Sequence, residues 1–547
     1  MKNILILIFS VFLLPGVNEV FAQTIPGALS KNSFLNNDIL NPVDDYYIKH
    51  PNYTFHSSLK PYIGVSVNDL NELDIQYKHM KLHNYFLSKN VCDTPKYKKI
   101  LALQILPQIN IEQGYDMLYK RNVNETSGGL YIRADVNRKL SIAAQYIAGY
   151  ISTPNFTDTL IESYGIVPGM GIAYSDTKDT LNNAFRKYSF NNFSGYLSYS
   201  PKNFINFQIG KDKHFIGDGY RSLLLSDVAT NYPYFKTTLN IWHLQYSVWY
   251  SWFYDVGASN GIKQDFKNKF GTFHYLSWNA TKNLNFSLFE NIMWQGTDTT
   301  RNRGFDANYL NPVIFFRPVE YSLGSSDNAM LGFNFKANIA KRFKLYGQVA
   351  IDEFYLKEIR SGNGWWANKQ GFQLGAKYVD AFGIKKLSLQ GEFNYVRPYT
   401  YSHGSPQQSY THYNQPLAHP FGANFKETIG ILSYRHHRYR LDGKLIYAEI
   451  GKDTTGSDIS MGQNIFLSYT QRPKYDKDLG HYTGQGVKTT FIQAELRYTF
   501  YIIADWNLRF EAGLIQRVYK NEKGFDRQTP FIYAGIKTNL YNSYRDF

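Results

Sequence analysis

KLSLQGEFNY, residues 386–395, alternates between apolar and polar side chains without a slip. Leu387, Leu389, Gly391, Phe393 and Tyr395 fall on one face, and Lys386, Ser388, Gln390, Glu392 and Asn394 on the other. Successive strand side chains point to opposite faces, so this stretch predicts a strand with one apolar surface and one wet, charged surface. The pattern recurs from Thr490 to Phe500, where Ile492, Ala494, Leu496, Tyr498 and Phe500 oppose Gln493, Glu495, Arg497 and Thr499. It recurs again from Phe343 to Ile351, with Leu345, Gly347, Val349 and Ile351 against Lys344, Tyr346, Gln348 and Asp352. Apolar residues outside and charged residues inside describe an all-β, antiparallel transmembrane outer-membrane β-barrel.

Composition agrees with that class. Mean hydropathy is −0.40, a soluble-looking value, because a barrel dilutes its apolar face with an equal number of polar residues. The 46 Tyr and 39 Phe suit membrane interfaces, where a ring keeps its body in lipid and its tip in water. No stretch after the N-terminal leader is long and apolar enough for a spanning helix of about 20 residues, so insertion must be through strands.

Lys2, the apolar run Ile4 to Leu14, and Val20-Phe21-Ala22 ahead of Gln23 predict a cleaved signal peptide over residues 1–22. Cys92 is the single cysteine, so no intramolecular disulfide can form. The formal net charge of +15 survives processing, since the leader removes one cation, Lys2, and one anion, Glu19. An exported chain this basic points to acidic polysaccharide or lipid phosphate as partner, and away from nucleic acid.

Residues 23–99 lack barrel alternation and predict a small periplasmic or plugging segment; Pro61 to Val67 reads as one short strand, and Asn68 to Asn90 is partly helical in its spacing. The barrel is expected over residues 100–547. Short connections such as Asn137-Arg138, Thr281-Lys282-Asn283 and Lys341-Arg342 alternate with long ones near 153–186, 213–234, 295–329, 398–425 and 451–487. Counting on that alternation gives about 18 strands, the first three near 101–115, 127–136 and 139–151 and the last near 529–541. The weakest joints are Trp242 to Leu244, which lacks a turn residue, and Ser460 to Tyr469, which reads as a possible extra strand. Phe547 resembles the aromatic C-terminal signal of outer-membrane barrels, with the last strand ending near Tyr541.

Three blocks carry a family resemblance. The first runs through Gly210-Lys211-Asp212, Ile216-Gly217-Asp218-Gly219-Tyr220-Arg221 and Leu223 to Ser226; the second is Asn311 to Pro318 with Gly324 to Asn328 and Leu331-Gly332. Together they resemble the Wzi-like capsule-assembly outer-membrane proteins, although Lys211, Ile216 and Asp218 depart from that family's pattern. The third, Arg397 to His403 and Tyr410 to Pro420, is similar to a gliding-motility branch of the RemB type. The resemblance implies an occluded 18-stranded barrel that holds surface polysaccharide, capsule or lipopolysaccharide, without catalysis. Its partners would be outer-membrane lipid and periplasmic or surface motility proteins.

Sugar recognition needs ring faces and hydrogen-bonding groups. The candidate polysaccharide-binding residues are therefore Lys211, Asp212, Lys213, His214, Asp218, Tyr220 and Arg221 in the first block, and Arg317, Asp327 and Asn328 in the second. Trp365 and Trp366 form a platform in a Gly-rich connection, and Tyr401, His403, His412, Tyr413 and Asn414 complete the set. The glycines of the first block lack the Gly-Lys-Ser/Thr ending of a phosphate loop, which excludes nucleotide binding. His403, His412, His419 and His436-His437 match no metal-ligand spacing, so no metal or cofactor is expected. Ser402, His403 and Asp227 or Asp327 are the residues for a surface hydrolase, but no Gly-x-Ser-x-Gly elbow marks a nucleophile and the chain is read as a non-enzyme. Glu495, Arg497, Arg509, Glu511 and Arg517 are expected to pair across their hairpin and help close the lumen. A porin or uptake channel with a basic lumen is the alternative.

Overall fold

The computed structural model describes residues 30–64, 101–137, 139–175, 187–257, 263–297, 303–314, 327–454, 456–473 and 478–547. The leader, Asn68 to Asn90, Cys92 and Arg317 lie outside the described residues. Eighteen antiparallel strands close into a barrel. They are β1 (Leu101–Asp116), β2 (Arg121–Val136), β3 (Leu140–Ile151), β4 (Tyr188–Lys202), β5 (Ile205–Asp212), β6 (Tyr232–Ile241), β7 (Leu244–Asp255), β8 (Lys267–Asn279), β9 (Leu284–Gln295), β10 (Asn328–Ile339), β11 (Phe343–Glu353), β12 (Lys369–Val379), β13 (Leu387–Val396), β14 (Phe425–His436), β15 (Tyr439–Lys452), β16 (Val487–Ile503), β17 (Leu508–Asn521) and β18 (Asp526–Lys537). The ring seals where Asn110 of β1 pairs with Lys537 of β18.

The alternation read in β13 holds: Glu392 and Asn394 are buried inward while Phe393 faces out. Ile209, Leu374, Leu445 and Leu496 form part of the exposed apolar band, and Trp242, Phe343, Phe382 and Tyr439 ring the end that carries the short turns. By the rule that periplasmic turns are short, that end is the inner one. The joint at Trp242 is a two-residue turn with φ of 56° at Trp242. It is held by a stack rather than by turn chemistry, with Trp242 on His243 at 4.3 Å and Tyr53 on His243 at 4.1 Å. Ser460 to Tyr469 forms no strand. β2 starts at Arg121, earlier than its sequence suggests, leaving a tight turn before it.

The lumen is filled from three sides. Helix α1 (Asn37–Lys49) corks the inner mouth, capped by the Asn36 side chain accepting from the Asp38 N–H at 2.8 Å. Leu40, Val43 and Tyr47 pack it onto Phe55 and Tyr62. Its acids face the basic wall. Asp38 meets Arg440 at 2.7 Å, Arg497 at 2.9 Å and Arg509 at 3.7 Å; Asp44 meets Lys344 at 2.7 Å and Lys377 at 3.2 Å. Burial alone would raise the Asp38 carboxyl, but the guanidiniums of Arg497, Arg440 and Arg509 outweigh it and hold it well below the usual carboxylate range. Sequence reasoning paired the charges of β16 and β17 with one another. Arg509 does reach Glu511 at 3.1 Å, but Arg497 turns mainly to Asp38 and Asp442, and Glu495 to Lys444.

From the other side the β5–β6 connection dives inward. Its Phe215–Ile216 pairs with Leu59–Lys60 of the N-terminal segment, just ahead of the strand expected over 61–67, of which 61–64 form no strand and 65–67 lie outside the described residues. Asp218 accepts from Ser58 at 2.6 Å and from Ser57, and Lys336 donates to Ser57 at 2.7 Å. Leu223, Leu224 and Leu225 are 0% exposed among inward Trp249, Phe253, Phe273, Phe289, Ile446 and Phe491. The outer half of the lumen is thus an apolar core, where the sequence suggested a charged filling.

The third filling is residues 538–547. β18 ends at Lys537, not near Tyr541, and the chain turns back into the barrel. Asn542 and Tyr544 donate to Asp227 at 2.8 Å each, and Arg545 bonds Glu112. Asp546 takes Tyr220 at 2.6 Å, Lys444 at 2.7 Å and Arg221 at 3.1 Å. Phe547 packs on the apolar core instead of ending a lipid-facing strand. Outside the barrel, residues 303–312 fold over the outward face of β7–β9. There Tyr250 donates to the Leu310 carbonyl at 2.8 Å, Tyr246 to that of Pro312 at 2.7 Å, and Tyr309 packs on Trp294 at 4.8 Å.

Breaking a buried ion pair from one side costs about 3–5 kcal/mol, because the partner is left uncompensated. Asp38→Ala is accordingly expected to free the cork, so that limited proteolysis cuts within residues 30–64 while the barrel itself stays protease-resistant. Acid should do the same. Asp38 and Asp546 both have folded values depressed by their cations against the opposing effect of burial. Their contribution is complete above the ordinary carboxylate range, about pH 4, and is lost as pH falls through the depressed values. Protection of the backbone amides in residues 37–49 and 538–547, taken relative to their intrinsic exchange rates at each pH, is expected to stay flat from about pH 8 to 5 and to fall only in stronger acid.

Candidate functional site

The motif residues of the β5–β6 connection are mostly ties of the filling. Lys213 donates to the Asp227 carbonyl at 3.1 Å, His214 lies 4.6 Å from Tyr234 and 5.3 Å from Trp249, and Arg221 sits between Asp546 and Glu427. Asp218 and Tyr220 belong to the same interior network. Lys211 is exposed on the outward face at the outer end of β5, and Asp212 is half-buried beside it.

The second and third blocks behave alike. Asp327 accepts from Arg303 at 2.8 Å, Tyr309 at 2.7 Å and Gln408 at 3.0 Å, and Asn328 donates to the Gln408 carbonyl at 2.9 Å. Tyr401 and Tyr410 donate to the Leu223 and Leu224 carbonyls at 2.8 Å each, pinning the triple-leucine segment. His412 accepts from the Tyr254 N–H at 3.1 Å, and burial pushes its imidazole down to about 3. His419 meets Glu427 at 2.7 Å, and His403 accepts from the Ser405 N–H at 3.3 Å. Ser402 donates to the Tyr399 carbonyl at 2.7 Å, while Asp227 serves Asn542 and Tyr544. Those serine, histidine and aspartate side chains therefore do not join into a relay. Trp366 is half-buried beneath the Arg472 guanidinium at 4.2 Å and beside Tyr469 at 4.8 Å, and Trp365, Tyr413 and Asn414 are likewise half-exposed.

Asn414 leads to a site that no linear motif announces. A cleft of about 410 Å³ opens at the outer end, within the usual ~300–1,000 Å³ of ligand clefts. One wall is the inward rim of the barrel, Lys452 of β15, Tyr519 and Asn521 of β17 and Arg527 of β18. The other is helix α2 (Asn155–Tyr164) with parts of the β13–β14 and β15–β16 connections. Helix α2 ends on Gly165 at φ 68°, a left-handed conformation that favours glycine. It is anchored by Asp158 on Arg121 at 3.3 Å and by the Asn155 N–H donating to Asp116 at 3.0 Å.

Ring faces and polar groups alternate around the cleft. Arg517 at its floor lies over Phe156 at 4.5 Å and Phe491 at 4.7 Å, and donates to the Phe547 carbonyl at 3.1 Å. Tyr164 and Phe466 meet at 5.3 Å, with Asn414 donating to the Tyr164 carbonyl at 3.0 Å. Tyr519 and Phe525 meet edge to face at 5.7 Å. Such a surface can stack a ring and hydrogen-bond its substituents. The sequence hid it because its residues come from four strands, five connections and Phe547; the one local signal is the aromatic and cationic side chains that end β17 and begin β18.

No protein-family model matches this chain, and no curated protein matches it in sequence. Among solved structures it is similar to Wzi, an outer membrane protein involved in group 1 capsule assembly in Escherichia coli and a carbohydrate-binding β-barrel. The TM-score is 0.55 at 11% identity, over 93% of this chain and 100% of that one. It is also similar to the outer membrane protein OprD from Pseudomonas aeruginosa, with TM-score 0.41 and 10% identity over 84% of this chain and 100% of that one. For OccAB2 from Acinetobacter baumannii the values are 0.40 and 9% over 80% and 97%. At 11% identity the likeness to Wzi is one of fold: a closed 18-strand antiparallel barrel with a short N-terminal helix.

Proposed function

We propose that this protein is an outer-membrane barrel that binds or anchors surface polysaccharide, capsule or lipopolysaccharide, in the cleft between α2 and the rim of β15–β18. The role that follows is support of capsule assembly, or of cell-surface adhesion and gliding, without catalysis. The observation that carries it is the cleft itself: half-exposed aromatic rings and amide groups gathered at the outer end of a barrel whose lumen is filled by its own chain. The fold shared with a carbohydrate-binding barrel supports the same reading. Filling of the lumen weighs against a porin, since the cork, the β5–β6 connection and residues 538–547 stand in any straight path.

Purified protein in detergent is expected to retain polysaccharide extracted from the surface of the producing cell, and Tyr519→Ala to weaken that retention roughly threefold to tenfold, the worth of one stacking face. Retention of no polysaccharide at all would sink the proposal. In planar bilayers no steady open conductance is expected; a stable open channel would transfer the function to transport.

A further inference from the structure

The described residues that line the cleft include Lys452, Arg517 and Arg527 but no aspartate or glutamate side chain. Arg517 is occupied, buried between two rings and bonded to a carbonyl. The other two differ. Lys452 lies over Tyr519 at 4.9 Å, and Arg527 lies over Phe525 at 4.4 Å while donating to the neutral Asn155 side chain at 3.0 Å. Both are half-buried and point into the cleft from strands on either side of the Tyr519–Phe525 pair. At the inner mouth, by contrast, Lys344, Lys377, Arg440 and Arg497 meet carboxylates of α1.

We propose, resting on the reading of the cleft as a glycan site, that it selects sugars bearing a carboxylate: a ring stacks on Tyr519 and Phe525 while its acid group is taken by Arg527 and Lys452. Arginine offers the planar fork that matches a carboxylate, and lysine a point charge that tolerates the position of a second acid along the polymer. A neutral sugar would find the same aromatic floor and lose the charge-assisted bonds.

The test is titration of the full-length protein in detergent with polygalacturonate oligomers and with the same oligomers after carboxyl reduction. The acidic oligomers are expected to bind more tightly, and Arg527→Gln and Lys452→Gln each to lose on the order of tenfold for them and several-fold less for the reduced oligomers. Lys452→Arg should restore most of the loss. Lys202→Gln, at the exposed inner end of β4, reports general attraction to a basic protein and should change nothing. Equal binding of both oligomers, or equal loss from Lys202→Gln, overturns the acid selection and leaves glycan binding standing. Failure to bind either oligomer, together with no retention of the native polysaccharide, removes the glycan reading and this inference with it.

Discussion

The inner half of this barrel answers to the need to compensate charge inside a wall whose outside is hydrocarbon. Lys344, Lys377, Arg440, Arg497 and Arg509 point inward from strands β11, β12, β15, β16 and β17, and a lumen open to water could solvate them. Here it is filled, so the acids must sit in the filling or on the wall itself, as Asp442 and Glu511 do beside Arg497 and Arg509. Asp38 and Asp44 of α1 supply them from the N-terminal side, and Asp546 does the same for Arg221 and Lys444. Uncompensated buried charge is costly enough that filling and wall specify one another.

The outer half of the lumen solves a different problem. Leu223 to Leu225 are carried inward by a connection and need an apolar host, which inward aromatics on β7, β8, β9 and β16 provide. Their backbone carbonyls are in turn satisfied by Tyr401 and Tyr410 from another connection. One consequence is that the cleft rests on a solid floor. Its aromatic walls are held by packing beneath them, which lowers the ordering cost of receiving a ligand.

Strands whose two faces meet lipid and a polar filling were legible residue by residue, as in β11, β13 and β16. Legibility failed where one of those environments changed. β2 starts at Arg121 because its outer end rises beyond the lipid band, where Asn122 and Asn124 can face outward without penalty and the alternation vanishes. Residues 303–312 cover the outward faces of β8 and β9, burying Thr272 and Ile292 on the side that lipid would otherwise occupy, and no alternation in the strands announces that cover. Helix α1 left only an oblique trace, three aspartates between Asp38 and Asp45 in an otherwise basic chain. The motif blocks of the sequence led mainly to ties within the filling, with Asn414 the link to the cleft, because hydrogen-bonding residues are needed as much to pin connections inside a barrel as to meet a ligand outside it.

The segments that fill the barrel flank its seam. Helix α1 precedes β1 and residues 538–547 follow β18, and β1 and β18 are the two strands whose pairing shuts the cylinder. Both reach the interior by the inner mouth, α1 as its cork and residues 538–547 turning back from the end of β18, so the wall closes around a filling that its own two end strands carry. The seam therefore brings its own counter-charge: Asp38 and Asp546, which neutralise cations of the wall and of the filling, are tethered on either side of the pair that shuts the cylinder.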